Sequence, residues 1–386
     1  MNQIYLDNNS TTLIDPDVVQ AITQCMSAAY ANPASQHQFG QKSRRRLEEI
    51  RTDILELVGG QNRGMETDSL IFTSGGTESN NLALAGLAFE QDGSLPDKKR
   101  ILVSSIEHPS VLATASYLET LGFHVEKIDC LENGVIDLDH LNTLLGQPVR
   151  LVSVMTVNHE TGCIQPISQV SKMCSDANVL LHSDAVQAVG KMPVSFSELG
   201  VDAMSFTAHK LHGPKGIGGL VLRHGLKLFP RQFGGFQQQG FRPGTEDLCL
   251  ATGMQIALRK FVEQADLRYQ SVRKLNKQLE NALISQCEAK INGSSSYRVP
   301  HTINASFSGI RRQEFLMAAD MRGLAISTGS ACASGSSDPS PVLQAMNLPA
   351  DIVDSSIRIS LSALTTAAET EWAIDRILQI SKSLRA

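Results

Sequence analysis

Two side chains in the sequence, a lysine and a cysteine, stand in settings that suit nucleophilic chemistry. Lys210 follows the apolar run 201–208 and precedes a break at Gly213 and Pro214, which predicts a strand end that faces a cleft. A lysine buried there beside polar partners has a lowered pKa and a nucleophilic amine, whereas a solvated loop lysine has neither. The residues alone leave both interpretations open.

Cys332 lies among small, polar, turn-forming residues in the segment 326–341. Such surroundings predict an exposed thiol, and the thiolate form of a cysteine is a strong nucleophile. A structural cysteine is usually buried among apolar side chains instead. The sequence therefore favours a reactive cysteine, with a structural one as the alternative.

Two further polar residues follow predicted strands. Asp184 ends the strand 179–183, and because a buried aspartate without a cationic partner is costly, we expect it to face one. A helix cap is the alternative for this residue. His108 follows the strand 100–105 and precedes a helix begun by Pro109, which is typical of an active-site loop residue. Its alternative is a structural hydrogen bond.

A glycine-containing turn, Ser74-Gly75-Gly76-Thr77, joins a short strand to a helix. Backbone N–H groups at the positive end of a helix suit a phosphate, although a plain helix cap uses the same residue types. Two known nucleotide-binding motifs are absent from the sequence. The run from Gly216 has Val221 where G-x-G-x-x-G needs its third glycine, and no P-loop pattern occurs.

Helices and strands alternate along most of the chain and must position these residues. The near-continuous apolar run 151–157 is typical of a parallel sheet covered on both faces. A helical pattern from about Leu248 to Gln286 predicts the passage into a second, smaller domain, whose strands include 304–307 and 356–360. We predict a large domain and a small one with the following ranges: 16–259 for the large domain, and 1–15 with 260–386 for the small domain.

The composition narrows the class of protein. The 386 residues, 42% of them hydrophobic, suffice for one large domain or two. A net charge of -5 gives no basic field for nucleic acid or anionic lipid. The sequence has neither an apolar run of about 18 residues nor an export signal. Its seven cysteines form no C-x-x-C pair, so we expect a soluble, cytoplasmic protein with reduced thiols and no metal.

The segment from Ser205 to Gly216 resembles the cofactor-lysine segment of the cysteine desulfurases, which are pyridoxal-phosphate enzymes. The similarity runs from Tyr5-Leu6-Asp7-Asn8 to Ser356-Ile357-Arg358-Ile359-Ser360. It implies the aspartate-aminotransferase-like α/β fold of pyridoxal-phosphate fold type I. That fold has a large domain with a mainly parallel seven-stranded sheet and a smaller α/β C-terminal domain. The 26 positions from Cys332 to Arg358 (358 minus 332) match the group with the longer catalytic loop.

The resemblance implies a role for each matching residue around pyridoxal phosphate. Lys210 would hold the cofactor covalently and act as the base, and His108 would stack on the ring and pass protons. Asp184 would keep the ring nitrogen protonated, so that the ring acts as an electron sink. Asn158 and Gln187 would reach the ring hydroxyl. The phosphate would be held by Gly76, Thr77, Thr207, His209 and, from the neighbouring subunit of a homodimer, Thr245.

Substrate binding and sulfur transfer follow from the same resemblance. Arg358 would bind the carboxylate of L-cysteine, because a planar guanidinium suits a bidentate pair; a surface ion pair is the alternative. Asn32 and Asn158 would border the substrate. Cys332 would take the substrate sulfur as a persulfide and leave L-alanine, for later delivery to a protein acceptor such as an iron–sulfur scaffold or sulfur carrier. No direct nucleic-acid or membrane partner is expected.

Two alternatives of different kinds remain open. A selenocysteine lyase, or another pyridoxal-phosphate lyase, would use the same scaffold on a different leaving group. A catalytically silent homologue would serve as a docking platform. Such a platform has no chemical need for both Lys210 and Cys332.

Overall fold

The computed structural model describes residues 3–28, 31–293, 297–329 and 338–385, so Cys332 lies outside the described residues. Its strands are β1 (Ile4–Tyr5), β2 (Ser69–Thr73), β3 (Arg100–Ser104), β4 (His124–Ile128), β5 (Leu151–Ser153), β6 (Leu180–Asp184), β7 (Ala203–Thr207), β8 (Gly218–Leu222), β9 (Lys290–Ile291), β10 (Thr302–Ser306), β11 (Leu324–Ala325) and β12 (Ser356–Ser360). Its helices are α1 (Pro16–Ala28), α2 (Gln38–Leu57), α3 (Gly76–Ala88), α4 (Pro109–Thr120), α5 (Leu138–Leu145), α6 (Ile167–Asp176), α7 (Phe196–Leu199), α8 (Leu248–Cys287), α9 (Arg312–Met321), α10 (Pro341–Ala345), α11 (Ala350–Asp354) and α12 (Ala367–Arg385).

The main sheet has seven strands in the order β2-β8-β7-β6-β5-β3-β4. β8 pairs antiparallel with both of its neighbours, and the other pairs in the sheet are parallel. Helices cover both faces: α3 and α4 pack on one, and α1, α2, α6 and the first part of α8 pack on the other. The predicted mainly parallel seven-stranded sheet is confirmed.

β5 ends earlier than the apolar run that predicted it, because the chain beyond Ser153 keeps hydrogen bonds to β6 on one side while Met155 bonds to a side chain on the other. Val154 and Thr156 donate to main-chain carbonyls of β6 at 3.1 and 2.9 Å. Met155, between them, donates instead to the Glu107 carboxylate at 2.7 Å. The run stays buried. Its backbone beyond Ser153 also bonds to the loop at the end of the sheet, through Glu107.

A second core lies beside a three-stranded antiparallel sheet, β12-β10-β9, and the parallel pair β1-β11. Its buried side chains come from these strands, from the second half of α8, and from α9 and α12. The predicted domain boundary at 259/260 falls inside α8, which continues unbroken from one core to the other. The two-domain division stays a prediction. Every helix in the described ranges is too short or too polar to cross a bilayer.

A loop rich in glutamine closes the exposed edge of the main sheet at β2. The side-chain amide of Gln238 accepts from Phe72 N at 2.6 Å and donates to Phe72 O at 2.9 Å, as a neighbouring strand would. Gln238 and Gln239 both have left-handed backbone angles, with φ of 50° and 61°. This amide clasp fixes the shape of the loop.

The clasp yields a matched pair of variants. Gln238→Gly and Gln239→Gly relieve similar left-handed strain, but only the first removes hydrogen bonds to the strand. We expect the free energy of unfolding of Gln238→Gly to lie about 1–3 kcal/mol below that of Gln239→Gly, since each net hydrogen bond contributes about 1 kcal/mol. Urea denaturation measures the difference, and equal midpoints for the two variants would contradict the clasp.

Candidate active site

A cavity of about 370 Å³ opens at the edge where the parallel strands of the main sheet end. In open parallel sheets this edge is where ligands bind, because the strand-to-helix loops converge there. Eight of the predicted site residues line it: Gly76, Thr77, His108, Asp184, Gln187, Thr207, His209 and Lys210. They follow β2, β3, β6 and β7, so the register of one sheet brings them together.

Lys210 ends a single 3-10 turn, Ala208–Lys210, directly after β7. Its Nζ donates to the main-chain oxygens of Ser10, at 2.6 Å, and Asn9. The N-terminal segment therefore lies against the amine, which lines the cavity. The predicted placement of this lysine at a strand end facing a cleft is confirmed.

Asp184 is buried at the end of β6 and held by neutral donors. Its Oδ1 accepts from Val186 N at 2.9 Å, and its Oδ2 accepts from Asn80 Nδ2 at 2.7 Å. Asn80 also donates to Ser110 Oγ at 2.9 Å, which ties the carboxylate to α4. These bonds aim a carboxylate at the cavity, where a ring nitrogen carrying a proton would complement it.

His108 caps α4, and this contact identifies its protonated nitrogen. Nδ1 accepts from Ser110 N at 3.1 Å, so the proton of the neutral ring is on Nε2. Burial lowers the pKa of His108, and the positive charge of Lys210 lowers it further, while Asp184 opposes them. The ring therefore offers an N–H donor to the cavity near neutral pH.

His159 is a cavity residue to which the sequence analysis gave no role. Its ring meets that of His108 edge to face, with centroids 5.4 Å apart. Burial, and then the neighbouring charges, hold its pKa well below the usual value, so the ring is neutral. Its buried Nδ1 makes no hydrogen bond within the described residues.

One end of the cavity suits an anion. α3 begins at Gly76, and Gly75 caps it without a side-chain hydrogen bond, so the first N–H groups of the helix remain for a ligand. A Cβ on Gly76 would lie 2.8 Å from Val186 Cγ2, so the glycine permits the close approach of helix and loop. His209 and Thr207 border the same end.

The residues present fit pyridoxal phosphate. They supply an anion-binding helix end, a carboxylate, an imidazole ring on the wall and a lysine amine around one cavity. The unpartnered buried Oδ1 of Asn80 marks a further polar position beside Asp184. Within the described ranges no group of three or more histidine, cysteine or acidic side chains is gathered as metal ligands would be.

Other predicted site residues lie outside this cavity. Asn158 is fully buried and its amide is used internally: Nδ2 donates to Ile106 O at 3.0 Å, and Oδ1 accepts from the N–H groups of Glu160 and Thr161 at 2.9 Å. It shapes the turn that places His159, and its contact with a ring hydroxyl stays a prediction.

Asn32 and Thr245 line a second groove, also of about 370 Å³, together with Glu246 and Cys249. They lie near each other but not on the cavity that Lys210 lines. The predicted role of Thr245 toward a neighbouring subunit agrees with this separation, yet it remains untested. Asn32 caps its own turn, accepting from Ala34 N at 2.8 Å.

Arg358, in β12, is buried behind the cavity wall. Its Nη2 donates to Asp7 Oδ1 at 2.8 Å and Ser10 Oγ at 2.9 Å, and its Nη1 donates to His159 O at 3.2 Å. Its Nε makes no hydrogen bond among the described residues. The alternative of an ion pair is found, with Asp7, but the pair is buried rather than on the surface, because the arginine is only 2% exposed.

Glu160 connects the segments on either side of the residues around Cys332. Its Oε2 accepts from Ser340 Oγ at 2.6 Å, and a Cβ on Gly329 would come within 2.5 Å of that oxygen. Burial raises the pKa of Glu160 to about 7. One buried carboxyl therefore binds one flank of the predicted catalytic segment, at Ser340, and lies close against the other, at Gly329.

Glu107, next to His108, is buried with one oxygen bonded to Ser104 and Met155 and the other unpartnered within the described residues. Burial raises its pKa to about 8, and Asp184 adds to the effect, against the hydrogen bonds. A carboxyl whose pKa rises on folding stabilises the folded state fully below its unfolded pKa, near 4.5. That stability is lost as the pH rises to about 8.

We therefore expect Glu107→Gln to remove part of this pH dependence. Gln keeps the shape of the protonated carboxyl but does not titrate, so the variant should gain roughly 1–4 kcal/mol relative to wild type between pH 4.5 and pH 8.5. Urea denaturation at both pH values measures this, with the exposed Glu132→Gln as a control. Parallel stability profiles for Glu107→Gln and wild type would refute the assignment.

Comparisons with known proteins agree with this geometry. Residues 4–372 match the family model for class-V aminotransferases. The cysteine desulfurase IscS of Dictyoglomus turgidum is 38% identical, over 99% of this chain and 95% of that protein. The cysteine desulfurase NifS of Azotobacter vinelandii is 35% identical, over 100% and 94%. The solved NifS-like protein from Rickettsia africae has a TM-score of 0.89 at 30% identity, covering 99% of this chain and 100% of that one. The chain therefore belongs to the class-V aminotransferases of fold type I and, within them, to the pyridoxal-phosphate-dependent cysteine desulfurases.

Proposed function

We propose that the cavity lined by Lys210 is where this chain converts L-cysteine to L-alanine and passes the sulfur to Cys332 as a persulfide. The observation that carries the proposal is the convergence of an amine, a carboxylate, a neutral imidazole and a helix N-terminus on one cavity. A catalytically silent docking platform would not need these groups to converge on one cavity. Family membership supports the same reaction.

Pyridoxal phosphate, when bound, withdraws electrons from the substrate Cα and so stabilises negative charge there. Asp184, fixed by Asn80 and Val186, would hold the proton on the ring nitrogen. The ring of His108 would lie against the cofactor, and the start of α3 with Thr77, Thr207 and His209 would hold the phosphate. Burial lowers the pKa of His209 to about 4, so this histidine would act as a neutral donor.

Lys210 would hold the cofactor covalently, and its amine would be the base that removes the proton from the substrate Cα. Its contacts with Ser10 O and Asn9 O hold the amine at the cavity wall. His108, with its proton on Nε2, stands on the same cavity and could return a proton to the product. The two residues thus divide the proton transfers.

The thiolate of Cys332 would attack the sulfur of the substrate. The new S–S bond forms as the Cβ–S bond breaks, and the electron pair of that bond stays with the carbon that becomes the methyl group of alanine after protonation. The hydrogen bond of Ser340 to Glu160 and the close approach of Gly329 to the same carboxyl support delivery of this segment to the cavity. Arg358 would bind the substrate carboxylate from its site behind Ser10.

We also infer a homodimer in which Thr245 reaches the phosphate of the partner. The second groove that contains Thr245 and the almost fully exposed ring of Phe236 on the same loop support such a contact. The persulfide would pass to a protein acceptor, such as an iron–sulfur scaffold. The thiol of Cys332 must be reduced before each turnover, which supports the expected cytoplasmic location.

The first experiment measures alanine and sulfide released from L-cysteine by purified protein with pyridoxal phosphate and a reductant. Cys332→Ala should reduce both at least about 100-fold, because the nucleophile for sulfur is lost. Cys249→Ala, at a partly exposed cysteine, serves as the control and should keep wild-type rates. Equal alanine production by Cys332→Ala and wild type would exclude the persulfide route.

The covalent role of Lys210 has its own test. Borohydride reduction of the loaded protein, followed by peptide mass spectrometry, should place the mass of the cofactor on the peptide that contains Lys210. Lys210→Ala should lose this adduct and lower alanine formation about 1,000-fold or more, while the exposed Lys215→Ala retains both. An adduct on another lysine in the wild-type protein would contradict the assignment.

A further inference from the structure

A second lysine is buried beside the cavity, and the proposed mechanism does not use it. Lys191 lies four residues after Gln187 and is only 3% exposed. Its Nζ donates to two neutral amide oxygens, Asn9 Oδ1 and Gln187 Oε1. A buried lysine that meets amides rather than carboxylates is costly to keep charged, so its presence calls for a function.

The contact fixes which end of the Gln187 amide faces which neighbour. Gln187 Oε1 accepts from Lys191, and Gln187 Nε2 donates to Asn9 O at 3.0 Å. The reversed amide would set its NH2 group against the Lys191 donor and its oxygen against the Asn9 carbonyl, and both bonds would be lost. The amide therefore has one remaining N–H, on the residue that lines the cavity.

Asn9 extends the same network to the cofactor lysine. Its main-chain oxygen accepts from both Gln187 and Lys210, while its side-chain oxygen accepts from Lys191. Its Nδ2 donates to His159 O at 3.0 Å and Thr302 Oγ1 at 2.9 Å. Lys191 thus holds the residue against which Lys210 rests.

We propose that Lys191 is a positioning residue: it locks Gln187 as a hydrogen-bond donor to the ring hydroxyl oxygen of bound pyridoxal phosphate and holds Asn9 against Lys210. The inference rests on the proposed function for the cofactor site. It assigns Gln187 a donor role only, because its acceptor oxygen is used by Lys191.

The charge state of Lys191 is consistent with this role. Burial holds its pKa well below the usual value, and nearby positive charges lower it further. The amine has at least two N–H donors in either charge state, which suffice for its two oxygen partners. The ionisable groups that face it from the surrounding elements are Lys210, Arg358, Asp7, His159, His212 and His301.

The test is the pH titration of the visible absorbance of the bound cofactor, which reports the proton on the nitrogen that joins the cofactor to Lys210. A donor to the ring oxygen competes with that proton and makes it more acidic. Lys191→Met removes the hydrogen bond that fixes the Gln187 amide, so the midpoint of this absorbance titration should rise by about one pH unit. Lys215→Met, which removes an exposed lysine near the cavity, is the matched control and should leave the midpoint unchanged.

A double-mutant cycle tests the route through Gln187. Gln187→Leu should raise the midpoint by a similar amount, and the double variant Lys191→Met/Gln187→Leu should shift it no further than either single change. Additive shifts would overturn the donor-locking role. An unchanged midpoint in Lys191→Met, even with a lower melting temperature, would mean that Lys191 has only a structural role. That result would overturn this inference but not the proposed function.

A second variant covers the case in which Lys191→Met does not fold. Gln187→Glu keeps an acceptor for Lys191 and the shape of the side chain but removes the donor, so it should also raise the midpoint. A normal midpoint in Gln187→Glu would overturn the inference. If wild-type protein shows no visible absorbance with pyridoxal phosphate, the proposed function is contradicted, and this inference with it.

Discussion

The hydrogen bonds of Asn9 are the constraint on which the rest of the site depends. Its N–H donates to Ser360 Oγ at 2.9 Å and its side chain to Thr302 Oγ1, both in the small antiparallel sheet. Its oxygens face Lys191, Gln187 and Lys210, which follow strands of the main sheet. One residue near the N-terminus therefore joins the two sheets at the cavity wall.

This connection is strong because it is buried and complete. A buried amide contributes stability only when each donor and acceptor has a partner, since an unsatisfied polar group costs about 1–3 kcal/mol. Asn9 uses its main-chain and side-chain groups on six different residues, so the loss of any one partner disturbs the others. Such a network specifies a single arrangement of the segments that meet there.

Polar groups also continue beneath the cavity into the main sheet. The ring of His182, in β6, bridges Ser153 Oγ and Ser205 Oγ of the two neighbouring strands at 2.9 Å each. Burial lowers its pKa to about 3, so it is a neutral link. The carboxylate of Asp184 thus stands at the end of a strand whose interior is held laterally by side chains as well as by backbone.

The sequence predicted the main sheet and the residues that follow its strands, because strand ends in a parallel sheet meet at one edge. Lys210, Asp184 and His108 came together for that reason. The roles of Asn9 and Lys191 could not be predicted in the same way, since the contacts of Asn9 with Lys191 and Ser360 join segments more than a hundred residues apart and leave no local pattern. The spacing of residues also cannot show which way an amide points.

Asn158 and Gln238 illustrate that second difficulty. The chemistry of an asparagine at a strand end suits a cofactor contact, but the folded turn uses both ends of the Asn158 amide. The run of three glutamines has no strand pattern in the sequence, whereas Gln238 completes the sheet edge through its side chain. In both cases the neighbours in space, and not those in sequence, decide what the amide does.

The unbroken course of α8 has a consequence for how this protein can diverge in sequence. Its 40 residues form a rod of about 60 Å, buried first in the core of the main sheet and then in the second core. A substitution that weakens either core is transmitted to the other through this shared helix. A shift of α8 caused by a change in one core must therefore be accommodated by the packing of the other core.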